Sequence, residues 1–68
     1  MADPVFKKIE IVGTSSNSVD EAISNAVAKA AESVHGLSWF EVAELRGSIA
    51  DGKVKQFQAS VRIGFKVD

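Results

Sequence analysis

The residue of this 68-residue chain whose type points furthest toward chemistry is Trp39, in Leu37-Ser38-Trp39-Phe40-Glu41-Val42. It sits in a strand-like run whose other face already carries the apolar residues a core needs. An indole is a broad, polarisable plane, so its chemistry is stacking, on a flat ligand or on a second subunit. Interfaces are enriched in aromatics, so both occupants fit at this point. Other chemistries lack their parts. There is no cysteine, hence no thiolate nucleophile, disulfide or cysteine-based zinc site. A lone His35 cannot make a conventional zinc site, and at a helix end it reads as a dipole-satisfying residue. Glu41 and Arg62 read as a structural pair rather than as acid and base. The loop Thr14-Ser15-Ser16-Asn17 could cradle a phosphate, although a polar loop before a helix is the commoner explanation.

Composition narrows the classes further. The chain is 46% hydrophobic and 25% charged, the balance of a folded globular protein rather than a disordered one. A net charge of −1 leaves no electrostatic footprint for nucleic acid. No apolar run approaches the ~20 residues that span a bilayer. Met1-Ala2-Asp3-Pro4 lacks the basic and apolar regions of a signal peptide, so a cytoplasmic location is expected. Residues 1–68 make one domain near the lower limit for folding on hydrophobic burial alone. With no disulfide or metal available, self-association is the expected support.

The elements that must position Trp39 follow from periodicity. Val5 to Val12 is rich in β-branched and aromatic residues and reads as a first strand, apolar on both faces. Gly13 to Asn17 reads as a loop. Ser18-Val19-Asp20-Glu21 fits a capping box, with Glu21 reaching back to the cap. Val19, Ala22, Ile23, Ala26, Val27, Ala30 and Val34 then recur at spacings of three and four, one apolar stripe of a helix. Its alanines permit close approach to a sheet, and His35-Gly36 is expected to end it through a left-handed glycine.

Two strands complete the chain, Ser38 to Ile49 and Val54 to Val67. Asp51-Gly52 between them predicts a two-residue type I′ hairpin. Counting outward pairs Leu45 with Gln58, Ala43 with Ser60, Glu41 with Arg62, and Trp39 with Gly64. Phe40, Val42, Phe57, Ala59, Val61, Ile63 and Phe65 then share a face that the helix can cover. Trp39, Glu41, Ala43, Leu45, Gln56, Gln58, Ser60 and Arg62 lie on the other. Gly64 opposite Trp39 suggests open space beside the indole, and a bulge could shift the register around Arg46. The expected fold is α+β: a three-stranded antiparallel sheet on one helix, in the order β-α-β-β.

Lys7 to Ser15, the alanine-rich helix, Leu37 to Val42, Leu45-Arg46-Gly47, Val54 to Gln58 and Gly64 to Val67 together resemble the dodecins. These are small flavin-binding proteins that assemble into hollow dodecamers, and the likeness covers essentially the whole chain without insertions. It is closest to the bacterial branch, through Arg46. The resemblance implies that Trp39 stacks on the isoalloxazine ring of a flavin and that Gln58 hydrogen-bonds the ring's polar edge. It implies that Arg46 serves the ribityl-phosphate side of FMN, riboflavin or another flavin being the alternative ligand. It also implies flavin storage, with two flavins stacked between two tryptophans at each of six pockets. Taken alone, Gln58 would be an ordinary strand glutamine, and Arg46 fits an ion pair equally well.

The register adds a constraint. Gln58 lies six residues from the position opposite Trp39, roughly 20 Å along the strand. One ring cannot easily touch both within a chain, so the two are expected from different subunits, with binding linked to assembly. Two rival functions remain at this stage. A flavin-dependent enzyme is disfavoured by the absence of Cys and of acid–base groups converging on Trp39. A ligand-free assembly module would use Trp39 only to pack subunits.

Overall fold

A computed structural model describes residues 3–68; Met1 and Ala2, part of the N-terminal segment read above, lie outside them. Strand β1 (Phe6–Ser15) is followed by helix α1 (Val19–Ala31) and by the hairpin strands β2 (Leu37–Ala50) and β3 (Lys53–Lys66). The sheet is antiparallel in the order β1-β3-β2, so β3 is central and Trp39 sits on an edge strand. The expected β-α-β-β fold is the one observed.

The core forms where α1 meets β1 and β3. Ala22, Ala26 and Ala30 are buried on Ala59, Val61 and Ile63, with Ile9, Ile11, Ile23, Val27 and Leu37 packed around them. Alanine at four of the six core positions lets the backbones approach closely. At Gly13 the approach is so tight that a Cβ would overlap the Ala22 carbonyl oxygen and lie 2.7 Å from Ala26 Cβ. This explains why Gly13 to Ser15 continue β1 instead of looping. Their backbone lies under the helix and pairs with Ala59, Gln58 and Phe57.

The helix ends differ from expectation in two respects. Ser18 caps α1 by accepting from the Glu21 N–H at 3.0 Å, but Glu21 does not return the bond. Its carboxylate accepts from Ser15 Oγ at 3.0 Å and Asn17 Nδ2 at 2.7 Å, while Ser15 Oγ accepts from the N–H groups of Asn17 and Ser18. A buried serine thus takes the place of the reciprocal bond. At the other end the helix stops at Ala31, four residues before His35. Gly36 does adopt a left-handed φ of 74°, but there its carbonyl accepts from the Lys66 N–H at 3.1 Å and starts the sheet edge.

The hairpin turns as expected, with Asp51 at φ 53° and Gly52 at φ 74°. Ala50 pairs with Lys53, and at the far end Trp39 pairs with Gly64, Phe40 with Ile63, Glu41 with Arg62 and Val42 with Val61. Between them the register departs by one residue. One irregularity lies between Ser48 and Ile49 and another between Val42 and Glu44. The observed partners are therefore Leu45 with Ala59, Arg46 with Gln58, and Glu44 with Ser60. The expected Leu45–Gln58 and Ala43–Ser60 pairs do not form. The physical reason is the side-chain pattern: the shift sets an apolar residue opposite an apolar one and polar opposite polar. The second irregularity restores the turn-defined register.

The helix does not cover the whole apolar face. Thirteen residues make a rod about 20 Å long that is wide enough for two strands, whereas a 14-residue strand runs about 46 Å. It packs on β1 and β3. On β2, Phe40 and Val42 stay 50% and 40% exposed, contrary to the expectation that the helix would shield that face. Leu45, expected on the Trp39 side, is turned onto this face by the register shift and stays 59% exposed. Phe6 and Val12 are likewise exposed on the opposite side of the sheet.

Candidate functional site

The side of the sheet away from the helix carries the candidate site residues in three cross-strand rows. In the first, Trp39 of β2, Gly64 of β3 and Lys8 of β1 stand side by side. The indole lies across Gly64: a Cβ there would overlap Cε2 and Cζ2 and sit 2.8 Å from Cδ2. The space expected beside the indole is thus filled by the indole itself, because only glycine lets the ring lie down on the sheet. Phe6 braces it at 6.5 Å between ring centroids, tilted by 59°. Lys8 Nζ stands 6.0 Å from the ring centroid. Trp39 nevertheless remains 42% exposed, a flat aromatic surface held in one orientation.

The second row is charged: Glu41 of β2, Arg62 of β3 and Glu10 of β1. Glu41 and Arg62 are register partners as expected, but their hydrogen bonds go elsewhere. Arg62 Nε donates to Glu10 Oε1 at 2.9 Å, and Ser60 Oγ donates to Glu10 Oε2 at 3.3 Å. Lys8 Nζ donates to Glu41 Oε1 at 2.8 Å. These bonds hold both carboxyls below the ordinary carboxylate range. For Glu41 the hydrogen bond from Lys8 is the largest cause, and for Glu10 the bond from Arg62. β1 provides the partners, and a hairpin considered alone could not.

The third row joins Arg46 of β2 to Gln58 of β3, with Thr14 of β1 beyond. Cross-strand partners share a face, so Arg46 and Gln58 lie on the Trp39 side of the sheet. Gln58 Nε2 donates to Gln56 Oε1 at 3.0 Å, and Arg46 Nη1 pairs with Glu44 Oε1 at 3.6 Å. Both interactions are local, the Gln58–Gln56 bond part-buried and the Arg46–Glu44 pair exposed. Gln58 is six residues along β3 from Gly64, roughly 20 Å. The structure therefore brings Arg46 and Gln58 together but holds Trp39 apart from both.

Neither hollow beside these residues encloses a ligand. One of about 190 Å³ is lined by Arg46, Ile49, Val54 and Phe57. Another of about 120 Å³ lies against Trp39, Val27, Leu37 and Phe40. Ligand pockets run from roughly 300 Å³ upward, so at these two places the chain supplies surfaces rather than a cavity. Among the described residues no cluster of His, Asp and Glu could hold a metal, and no helix is long and apolar enough to cross a membrane. The Ser15 loop, considered above as a phosphate cradle, spends its hydroxyl on the Glu21 network.

Sequence reasoning missed Phe6 and Lys8. The signal for them was the alternation Phe6, Lys8, Glu10 in β1, but placing it beside Gly64 requires the strand order.

Comparison with known proteins places these features in a family. Residues 5–68 match the family model described as Dodecin. The dodecin of Thermus thermophilus is 42% identical over 64 residues, which cover 94% of this chain and 93% of that protein. A crystal structure of a Thermus thermophilus protein superposes with a TM-score of 0.93 at 41% identity, over 97% of each chain. The structure of dodecin from Streptomyces coelicolor gives a TM-score of 0.94 at 40% identity, covering all of this chain and 97% of that one.

Proposed function

This chain belongs to the dodecin family, and from that premise we propose that it is a non-catalytic flavin-binding protein that stores and buffers FMN. One observation carries the reading. The Trp39 indole is laid on Gly64 and braced by Phe6, with a flat face left open. A planar fused ring fits such a face, and stacking there contributes about 1–3 kcal/mol by analogy with base–aromatic stacks. Arg46 supplies a guanidinium for a phosphate, which favours FMN over riboflavin, although either would stack.

The ~20 Å between Trp39 and Gln58 sets the quaternary part of the proposal. Gln58 reaches the ring's polar edge from a second subunit, within a homododecamer of the family's kind. Two flavins stacked between two symmetry-related indoles would fill each of six pockets. Exposed Phe40, Val42 and Leu45 are the apolar surfaces such an assembly would bury. Bound flavin would supply a light-excited electron acceptor against the indole, so the protein quenches and protects it. Catalysis is disfavoured because the charged groups nearest Trp39, Lys8 and Glu41, are hydrogen-bonded to each other. The expected setting is the cytoplasm, free of membrane and nucleic acid.

Titrating apo-protein with FMN tests this reading. Wild type should quench flavin emission on binding, and Trp39→Ala should lose tenfold or more in affinity. An unchanged affinity in that variant would remove the stacking claim. Colourless protein that assembles but ignores flavin would instead support a structural module.

A further inference from the structure

Lys8 stands in the row of Gly64 and Trp39, with β3 between it and β2. Its Nζ nevertheless reaches Glu41 of β2 at 2.8 Å. To do so the side chain spans the width of the central strand β3. The ammonium ends 6.0 Å from the Trp39 ring centroid. For an ammonium level with a ring stacked ~3.5 Å above the indole, 6.0 Å from the centroid corresponds to a sideways displacement of about 5 Å, near the half-length of a fused tricycle.

We infer that Lys8 is a ligand-contacting residue of the Trp39 site, its ammonium donating to the carbonyl- and nitrogen-bearing edge of a ring stacked on the indole. The inference rests on the stacking function proposed above. An ammonium has three hydrogens and Glu41 takes one, so donors remain for a ligand while Glu41 holds the group in place. Arg62 is engaged by Glu10 in the neighbouring row and does not compete for Glu41 as a hydrogen-bond donor. Lys8 thereby makes the site selective for flat rings that carry acceptors, using a residue of the same chain as the indole. Its side chain is half exposed, which leaves the ammonium accessible to an incoming ring.

The test compares three flat ligands on wild type and on Lys8→Met, which keeps the stem and removes the charge. FMN and riboflavin share the acceptor edge, whereas proflavine is a tricycle with no carbonyl. Lys8→Met should weaken FMN and riboflavin about five- to tenfold, the low end for a charged hydrogen bond in a half-exposed site. Proflavine, a cation at neutral pH, should bind no more weakly than before, and Lys8→Arg should recover most of the loss. Trp39 emission in the apo-protein reports the indole alone, because the chain has no other Trp and no Tyr. It should be unchanged in wavelength, showing that the stacking surface has not moved. Equal weakening of all three ligands, weakening of FMN only, or no weakening would each overturn the inference while wild-type binding stood. Failure of wild type to bind either flavin would overturn the proposed function itself, and this inference with it.

Discussion

Replacing Gly64 with alanine should dismantle the stacking face without altering its tryptophan. The added Cβ would overlap Trp39 Cε2 and Cζ2 and lie 2.8 Å from Cδ2. Ordinary carbon contacts begin at ~3.5 Å, so the ring must rise or swing by about 1 Å or more. Phe6 and Lys8 flank the indole, so sideways escape is limited and the ring tilts away from the sheet. A tilted indole cannot lie parallel to a bound ring, and much of the ~1–3 kcal/mol of stacking is lost. At 1.4 kcal/mol per decade, FMN affinity should fall about tenfold. Because Trp39 is partly exposed, the strain is released toward solvent, and folding stability should drop by no more than the ~1–3 kcal/mol of an overpacked site. Fluorescence titration with FMN measures the first effect. Near-UV circular dichroism of the single tryptophan reports its reorientation. FMN binding within twofold of wild type, with an unchanged tryptophan signal, would refute the claim that glycine lays the indole flat.

Gly13→Ala should be costlier to the fold and nearly silent at the ligand. Its Cβ meets the Ala22 carbonyl and Ala26 Cβ in the tightest helix–sheet contact, so chemical denaturation should show a loss of ~1–3 kcal/mol or more. Ser18→Ala removes the helix cap and should cost about 1 kcal/mol in the same assay. Acid stability should follow Glu10 and Glu41. Their folded pKa values lie below the ordinary 4.5, so their contribution is fully present above pH 4.5 and is lost as the pH falls through the lowered values. Denaturation midpoints should be flat from neutral pH to about 5 and decline below 4.5, less steeply in Glu10→Gln and Glu41→Gln.

Much of the frame was legible because local rules settled it. Asp51-Gly52 has one favoured turn, and counting from it placed Trp39 opposite Gly64 correctly across a 14-residue strand. The alanine stripe named the helix face that is in fact buried. What failed depended on non-local competition. The one-residue shift through Glu44 to Ser48 arises because matching side chains outweighed the uninterrupted ladder, and no single residue announces it. The helix end was overrun because Val34 continues the apolar spacing, although it bonds back to Ala30 only as a turn. The strand order was the larger omission. Without β1 beside β3, neither the Lys8–Glu41 bond nor the Phe6 brace could be foreseen, and Glu41 seemed destined for Arg62. For Gln58 and Arg46, sequence gave the right side of the sheet for Gln58 and left Arg46 unassigned. The bulges set them opposite each other.

The central claim is that one ring is gripped by Trp39 of one subunit and Gln58 of another. Mixing subunits tests it directly. Trp39→Ala and Gln58→Ala proteins should each bind FMN weakly when assembled alone. Co-assembled from a denatured equimolar mixture, they should form some sites with an intact indole from the Gln58→Ala chain and an intact amide from the Trp39→Ala chain. Titration of that mixture should recover a fraction of sites at wild-type affinity. If both groups serve the ring from the same chain, no mixed assembly holds an intact site. A titration that equals the sum of the two weak parents would then contradict the account.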